Sequence, residues 1–162
     1  MSNEMERNST SLVEETKAQA KAYFREGLNC AECVFLAFLD THETNLPREV
    51  VGLASGFGAG IGQTRNMCGA VSGALLALGT QEGRSNPFEK ESPKERLLQL
   101  RGEVYPQFAG LLNEVKEQYG TIVCAELTAK HPNYDSPERK KSCAEMVAYC
   151  AELCARHAEK SK

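Results

Sequence analysis

Residues 56–73 read GFGAGIGQTRNMCGAVSG, and the rest of the chain is organised around this stretch. Glycine stands at every second position from 56 to 62, which permits positive φ angles and close approach of other backbone. Asn66 is a predicted helix N-cap, so Cys68 would lie in the first turn of the helix that follows. A thiolate at that place faces free backbone N–H groups, so we expect the pKa of Cys68 to be lowered. Neither G-x-G-x-x-G nor G-K-S/T occurs here, which argues against a nucleotide-binding loop.

The helix after this loop carries a face of small residues. Gly69, Gly73 and Ala77 recur at a spacing of four, and the helix is predicted to end near Gly79. Such a face lets another backbone come very close. It can pack within the subunit or across a homodimer, and we favour the homodimer.

Length and composition are those of an ordinary globular protein. The chain has 162 residues, 41% hydrophobic and 25% charged, with a net charge of −3. One domain is therefore expected. No basic block of the kind that binds nucleic acid is seen, and no apolar run approaches the roughly 20 residues that span a bilayer. The polar N-terminus lacks the apolar region of a signal peptide, so we expect a cytoplasmic protein without nucleic-acid or membrane partners.

Apolar spacing and capping signals predict an all-α fold. We expect a single-domain bundle of five or six helices with a glycine-rich loop, in which residues 1–10 form a disordered lead and residues 11–160 form the helical, cysteine-rich domain. Asn29 and Glu32 form a predicted capping box. Pro106 should kink or split a long helix near Tyr105. The final helix is expected from Pro137 to about Ala158, and no convincing alternating strand pattern appears.

Seven cysteines are the main chemical signal. In a reducing compartment they favour metal ligation or redox chemistry over a structural disulfide framework. Two quartets can be drawn. One joins the cysteines near helix starts or turns: Cys30, Cys68, Cys124 and Cys143. The other joins the two close pairs: Cys30, Cys33, Cys150 and Cys154.

The remaining candidates are weaker. The C-x-x-C pair of Cys30 and Cys33 can be a redox dithiol, half of a metal site, or one reactive cysteine beside a packing cysteine, and the apolar stripe around Cys33 favours the last. Cys150, Cys154 and His157 share one stripe of the final helix, so His157 is a further candidate ligand, although a surface position is the commoner outcome.

The order of the first quartet resembles a known family. Cys30, then Cys68-Gly69-Ala70-x-x-Gly73, then Cys124 and Cys143, is similar to the redox-active proteins of the C_GCAxxG_C_C type, over roughly residues 12–155. The resemblance implies a redox role and a four-thiol site at Cys30, Cys68, Cys124 and Cys143. It assigns no role to Cys33, Cys150 or Cys154.

Three functions are consistent with these residues. The first is an iron–sulfur or other metal centre that transfers electrons to a redox partner protein. The second is a metal-free protein that cycles Cys30 and Cys68 between dithiol and disulfide, with a small thiol or a protein as partner. The third is a helical domain with a structural zinc. The scattered histidines His42, His131 and His157 give little support to acid–base catalysis, so enzymatic activity is left open.

Overall fold

The computed structural model describes residues 2–161, with side chains described from residue 10 onward. Within this range the chain forms seven α-helices: α1 Ser2–Arg25, α2 Cys30–Thr41, α3 Gly69–Glu82, α4 Pro93–Gln99, α5 Tyr105–Tyr119, α6 Cys124–Leu127 and α7 Pro137–Lys160. A 3-10 helix, Arg48–Phe57, follows α2. The prediction of an all-α fold is confirmed, while the predicted count of five or six helices is slightly too low, because the split before Pro106 and the short α6 both add a helix.

The N-terminal predictions have different outcomes. Residues 1–10 were predicted to form a disordered lead. The side chains of residues 1–9 are not described, so disorder of this segment stays a prediction. The helical domain, expected from residue 11, begins inside the longer α1. Among the described residues, no helix is both long enough and apolar enough to cross a membrane.

The core lies between α1, α2, α3 and α7. Its largest fully buried side chains include Phe35 and Phe38 of α2, Leu78 of α3 and Leu153 of α7. Each such side chain contributes about 1.5–3 kcal/mol through the apolar surface that it removes from water. This packing fixes the N-terminal ends of α2 and α3 beside the first turns of α7.

The small-residue face of α3 packs against α2 inside the chain. A Cβ atom added to Gly73 would lie 2.5 Å from the carbonyl oxygen of Ala31, and Ala77 is fully buried. Only glycine therefore permits the observed helix separation at residue 73. The face that suggested a homodimer is used within the subunit, so it no longer supports one.

The predicted interruption before Pro106 appears as a π-helical turn, Leu100–Val104, between α4 and α5. The Tyr105 N–H donates to the carbonyl oxygen of Leu100, five residues back. Pro106 has no N–H and its ring crowds the preceding turn, so a locally widened helix replaces the regular pattern. The helical arm continues through this turn to Tyr119.

Candidate functional site

One cavity of about 240 Å³ is lined by four cysteines that are far apart in the sequence. They are Cys30, Cys68, Cys124 and Cys143. Each comes from a different element, namely the start of α2, the start of α3, the start of α6 and the second turn of α7. The fold thus brings together the four thiols of the first predicted quartet. Their role as redox centres or ligands stays a prediction.

Cys30 is held at the first position of α2 by the predicted capping box. The Asn29 side chain accepts from the N–H groups of Ala31 and Glu32 at 3.0 and 2.9 Å, while the Asn29 N–H donates to the Glu32 carboxylate at 3.0 Å. Burial raises the pKa of the Cys30 thiol, and the backbone N–H of Ala59 opposes this rise because it favours the thiolate.

Cys68 is itself the N-cap of α3, so the prediction that Asn66 caps this helix is wrong. The cause is a long-range backbone pairing with the segment before α6. The Cys68 N–H donates to Ile122 O at 2.8 Å, and the Cys124 N–H donates to Asn66 O at 2.7 Å. Met67 and Val123 form the antiparallel bridge between them. This pairing keeps the chain extended as far as Cys68 and sets two cavity cysteines side by side.

The expected lowering of the pKa at Cys68 is not found. Burial raises the pKa of this thiol to about 12, and the charge of neighbouring Cys30 adds to the rise. The backbone N–H groups of Val71 and Ala70 favour the thiolate, but they do not offset the loss of water. The start of α3 therefore supplies N–H donors to the Cys68 sulfur. Without a nearby cation, the loss of water around the sulfur has the larger effect and keeps the thiol protonated.

Cys143 has a cationic neighbour on its own helix. Arg139, one turn earlier on α7, donates from Nη1 to Cys143 Sγ at 3.6 Å. Burial raises the pKa of Cys143, and the Arg139 charge opposes that rise. Sequence reasoning missed Arg139, although its spacing of four residues from Cys143 places both side chains on one helix face.

Arg139 belongs to a stack that was also missed. Its guanidinium lies 3.9 Å from the ring centroid of Tyr134, and the guanidinium of Arg65 lies 4.7 Å from the same centroid. Arg65 also donates to the Thr128 hydroxyl. The stack joins the glycine-rich loop, the segment before α7 and α7 itself around one side of the cavity. No local sequence signal pairs these residues, because they are far apart in the chain.

The glycine-rich loop forms a left-handed turn over Gly58–Ile61 and beyond. Of the four alternating glycines, Gly60 and Gly62 have positive φ angles, whereas Gly56 and Gly58 do not. Positive φ angles also occur at four residues with side chains: Ala59, Ile61, Gln63 and Arg65. Left-handed geometry costs such residues about 1–2 kcal/mol each. A Cβ at Gly60 would lie 2.7 Å from Arg65 backbone, so glycine is required there. The turn directs the Ala59 N–H toward the Cys30 sulfur.

The other candidate ligands lie outside the cavity lining. Cys33, Cys150 and Cys154 are fully buried among apolar side chains. Burial raises the pKa of Cys33 and of Cys154 to about 12. His157 contacts Glu114 instead, with Nε2 at 2.7 Å from Oε1, in a pair that joins α7 to α5.

The cavity supplies thiol donors but not a ready site for a single ion. Among residues 10–161, no group of three or more His, Cys, Asp or Glu side chains is arranged to hold a metal ion. All seven cysteines are free thiols. Zinc would need sulfur atoms about 2.3 Å from one centre.

Comparison with known proteins adds a family match. The family model described as "Putative redox-active protein (C_GCAxxG_C_C)" matches residues 28–157. An uncharacterized protein of Archaeoglobus fulgidus is 28% identical over 151 residues, which cover 87% of this chain and 91% of that protein. No solved structure matches the chain. The matched range contains every cysteine of the cavity.

Proposed function

Since this chain belongs to the C_GCAxxG_C_C family of redox-active proteins, we propose that its cavity cysteines bind an iron–sulfur cluster through which it exchanges electrons with a redox partner protein. The observation that carries the proposal is the lining of one cavity by Cys30, Cys68, Cys124 and Cys143. Four cysteine thiolates are the usual ligands of such clusters. The bound cluster would supply one-electron transfer.

The residues around the thiols suit that role. Three of the four cysteines stand at helix starts. Backbone N–H groups from Ala59, Ala70 and Val71 favour the thiolate forms of Cys30 and Cys68. Such N–H groups stabilise sulfur charge and tune the potential of a cluster. Apolar side chains, including those of Phe24, Leu127 and Met146, form part of the lining.

The protonation of the thiols separates this proposal from metal-free thiol–disulfide exchange. A thiol whose pKa is about 12, as at Cys68, contains little thiolate at neutral pH and attacks disulfides slowly. A metal centre deprotonates its thiol ligands outright. Cys68 is therefore expected to be a poor nucleophile without a metal and a suitable ligand for one.

Thiol–disulfide exchange remains the second candidate because Cys30 and Cys68 are neighbours. The thiolate form of Cys30 would raise the pKa of Cys68, and a Cβ at Gly69, next to Cys68, would lie 2.3 Å from Cys30 Sγ. Counting thiols in oxidised and reduced samples tests this candidate. A loss of two thiols on oxidation, prevented by Cys30→Ser, would favour it over the cluster.

The cluster proposal is tested by anaerobic purification and reconstitution of the full chain with iron and sulfide. We expect a visible chromophore, with iron and acid-labile sulfide in equal amounts. Protein that binds neither iron nor sulfide would contradict the proposal. Binding of zinc alone, with no response to reductant, would favour the structural-zinc alternative.

A further inference from the structure

The cavity has a second set of functional groups beside its thiols. Lys130 and Arg139 both line it, together with the hydroxyl of Ser142 and one carboxylate, Glu145. The Ser142 hydroxyl lies 3.0 Å from His131 Nε2. The lining thus combines redox-competent sulfur with cations and a hydroxyl, which are the groups that bind anions.

Neither cation is paired with a carboxylate of the residues whose side chains the structure describes. Among the residues with described side chains, ion pairs join other groups, and neither Lys130 nor Arg139 takes part in one. Glu145 likewise takes part in none of the ion pairs among these residues. Moreover, Arg139 Nε is buried without a hydrogen-bond partner. A buried guanidinium N–H without an acceptor is costly, and an acceptor from outside the chain, either an anion or a water molecule, would remove that cost.

Arg65, whose guanidinium also contacts the Tyr134 ring, shows the same feature. Its Nε is also buried without a hydrogen-bond partner, and it is absent from the ion pairs of the described residues. The chain as a whole carries a net charge of −3. Lys130, Arg139 and Arg65 therefore form a local excess of positive charge, opposed by Glu145 alone within the lining.

We propose that this cavity binds a small oxyanion, inorganic or carboxylate, between Lys130 and Arg139 and beside Cys143. Small oxyanions would then be the class of substrate that binds next to the redox centre. The assignment as a substrate rests on the proposed function, whereas anion binding itself needs only the residues of the chain. Electrostatic attraction in the cavity raises the local concentration of anions and lowers that of cations.

The test compares two alkylating probes of similar size and different charge on the full chain without metal. Iodoacetate is an anion and iodoacetamide is neutral, and both react with the same thiolate. The ratio of their rates at Cys143, measured by mass spectrometry at low ionic strength, is therefore independent of the pKa of the thiol. We expect the ratio to exceed that of free N-acetylcysteine by about fivefold, which corresponds to about 1 kcal/mol from one cation some 4 Å away in water.

Charge variants separate the cavity from the general surface. Arg139→Gln and Lys130→Gln should each bring the ratio toward that of N-acetylcysteine, and Arg139→Lys should retain it. Glu145→Gln should increase the ratio, because it removes the opposing charge. Lys160→Gln, at the far end of α7, is the control and should leave the ratio unchanged. A wild-type ratio equal to that of N-acetylcysteine, or one that all these variants leave unchanged, would overturn the proposal.

A second experiment tests occupancy. Sodium sulfate should slow the alkylation of Cys143 by neutral iodoacetamide, compared with sodium chloride of equal ionic strength, and Arg139→Gln should abolish the protection. Equal rates in the two salts would contradict an oxyanion site. Because neither experiment involves iron, a chain that protects Cys143 with sulfate but binds no iron would refute the cluster and keep the anion site. The reverse result would refute the anion site alone.

Discussion

Replacing Gly69 by alanine perturbs the site at its most crowded point. A Cβ at this position would lie 2.3 Å from Cys30 Sγ and 2.8 Å from the carbonyl oxygen of Phe57. The sulfur can turn about its side-chain bonds, whereas the carbonyl can move only if the backbone at the end of the 3-10 helix shifts. Overpacking of this kind costs about 1–3 kcal/mol, partly offset by the better helix propensity of alanine. We expect the free energy of unfolding to fall by about 1–2 kcal/mol.

Gly79 supplies the matched control on the same helix. It lies inside α3, and an added Cβ would meet nothing within 4 Å. Gly79→Ala should therefore raise the free energy of unfolding by about 0.5–1 kcal/mol, through helix propensity alone. The two variants make the same chemical change on one helix, and they are predicted to change the free energy of unfolding in opposite directions.

Equilibrium urea unfolding, followed by circular dichroism, measures both variants. For a chain of this length each kcal/mol also shifts the melting temperature by about 2–4 °C. Gly69→Ala should in addition change the rate at which Cys30 reacts with a thiol reagent, because the sulfur is displaced. If Gly69→Ala proved as stable as Gly79→Ala, with Cys30 reactivity unchanged, the proposed contact between α3 and the Cys30 thiol would be wrong.

Three further predictions concern the cap, the buried thiols and the aromatic stack. Asn29→Ala removes the capping box of α2 and should lower the free energy of unfolding by about 1 kcal/mol, whereas Asn29→Asp should keep most of it; equal losses in urea unfolding would argue against the cap. Burial raises the pKa of Cys154 from 9.0 to about 12. The unfolded thiol therefore loses its proton first, and stability falls as the pH rises from about 9 to 12. Cys154→Ala should make the slope of stability against pH shallower by up to about 1.4 kcal/mol per pH unit, and an unchanged slope in that interval would refute this. Tyr134→Leu removes both cation–π contacts and should destabilise the fold by about 1–2 kcal/mol, while Tyr134→Phe keeps the ring; the argument fails if the two variants unfold at the same urea concentration.

Features set by neighbouring residues could be predicted from the sequence. The Asn29–Glu32 capping box and the α7 helix both follow from local spacing. The interruption before Pro106 was predicted too, because proline always lacks its N–H. In each case the decisive interaction lies within a few residues along the chain.

Features set by long-range pairing could not be predicted. The N-cap of α3 moves from Asn66 to Cys68 because the chain there pairs with residues 122–124. The left-handed angles at Ala59 and Ile61 contradict their intrinsic preference, so they depend on the surrounding contacts. The pKa of Cys68 depends on burial, which helix position alone does not reveal.

The site shows the same division. The cysteine order and the family resemblance selected the four thiols that line the cavity, and the structure leaves Cys33, Cys150 and Cys154 in the core. The cations beside them were missed. Arg139 could have been predicted, because it precedes Cys143 by four residues on the same helix. Arg65 and Tyr134 could not, because they meet only when the loop and the segment before α7 fold together.

The central claim is that the four cavity thiols act as one centre. The most direct test is to measure the amount of iron bound per chain in variants that each lack one cysteine. After anaerobic reconstitution, serine at position 30, 68, 124 or 143 should each abolish or strongly reduce iron binding. Alanine in place of Cys33 or Cys154, which are buried outside the cavity lining, should leave iron binding close to that of the unmodified chain. Iron that survives loss of any cavity cysteine, or that depends equally on Cys33 and Cys154, would contradict the claim.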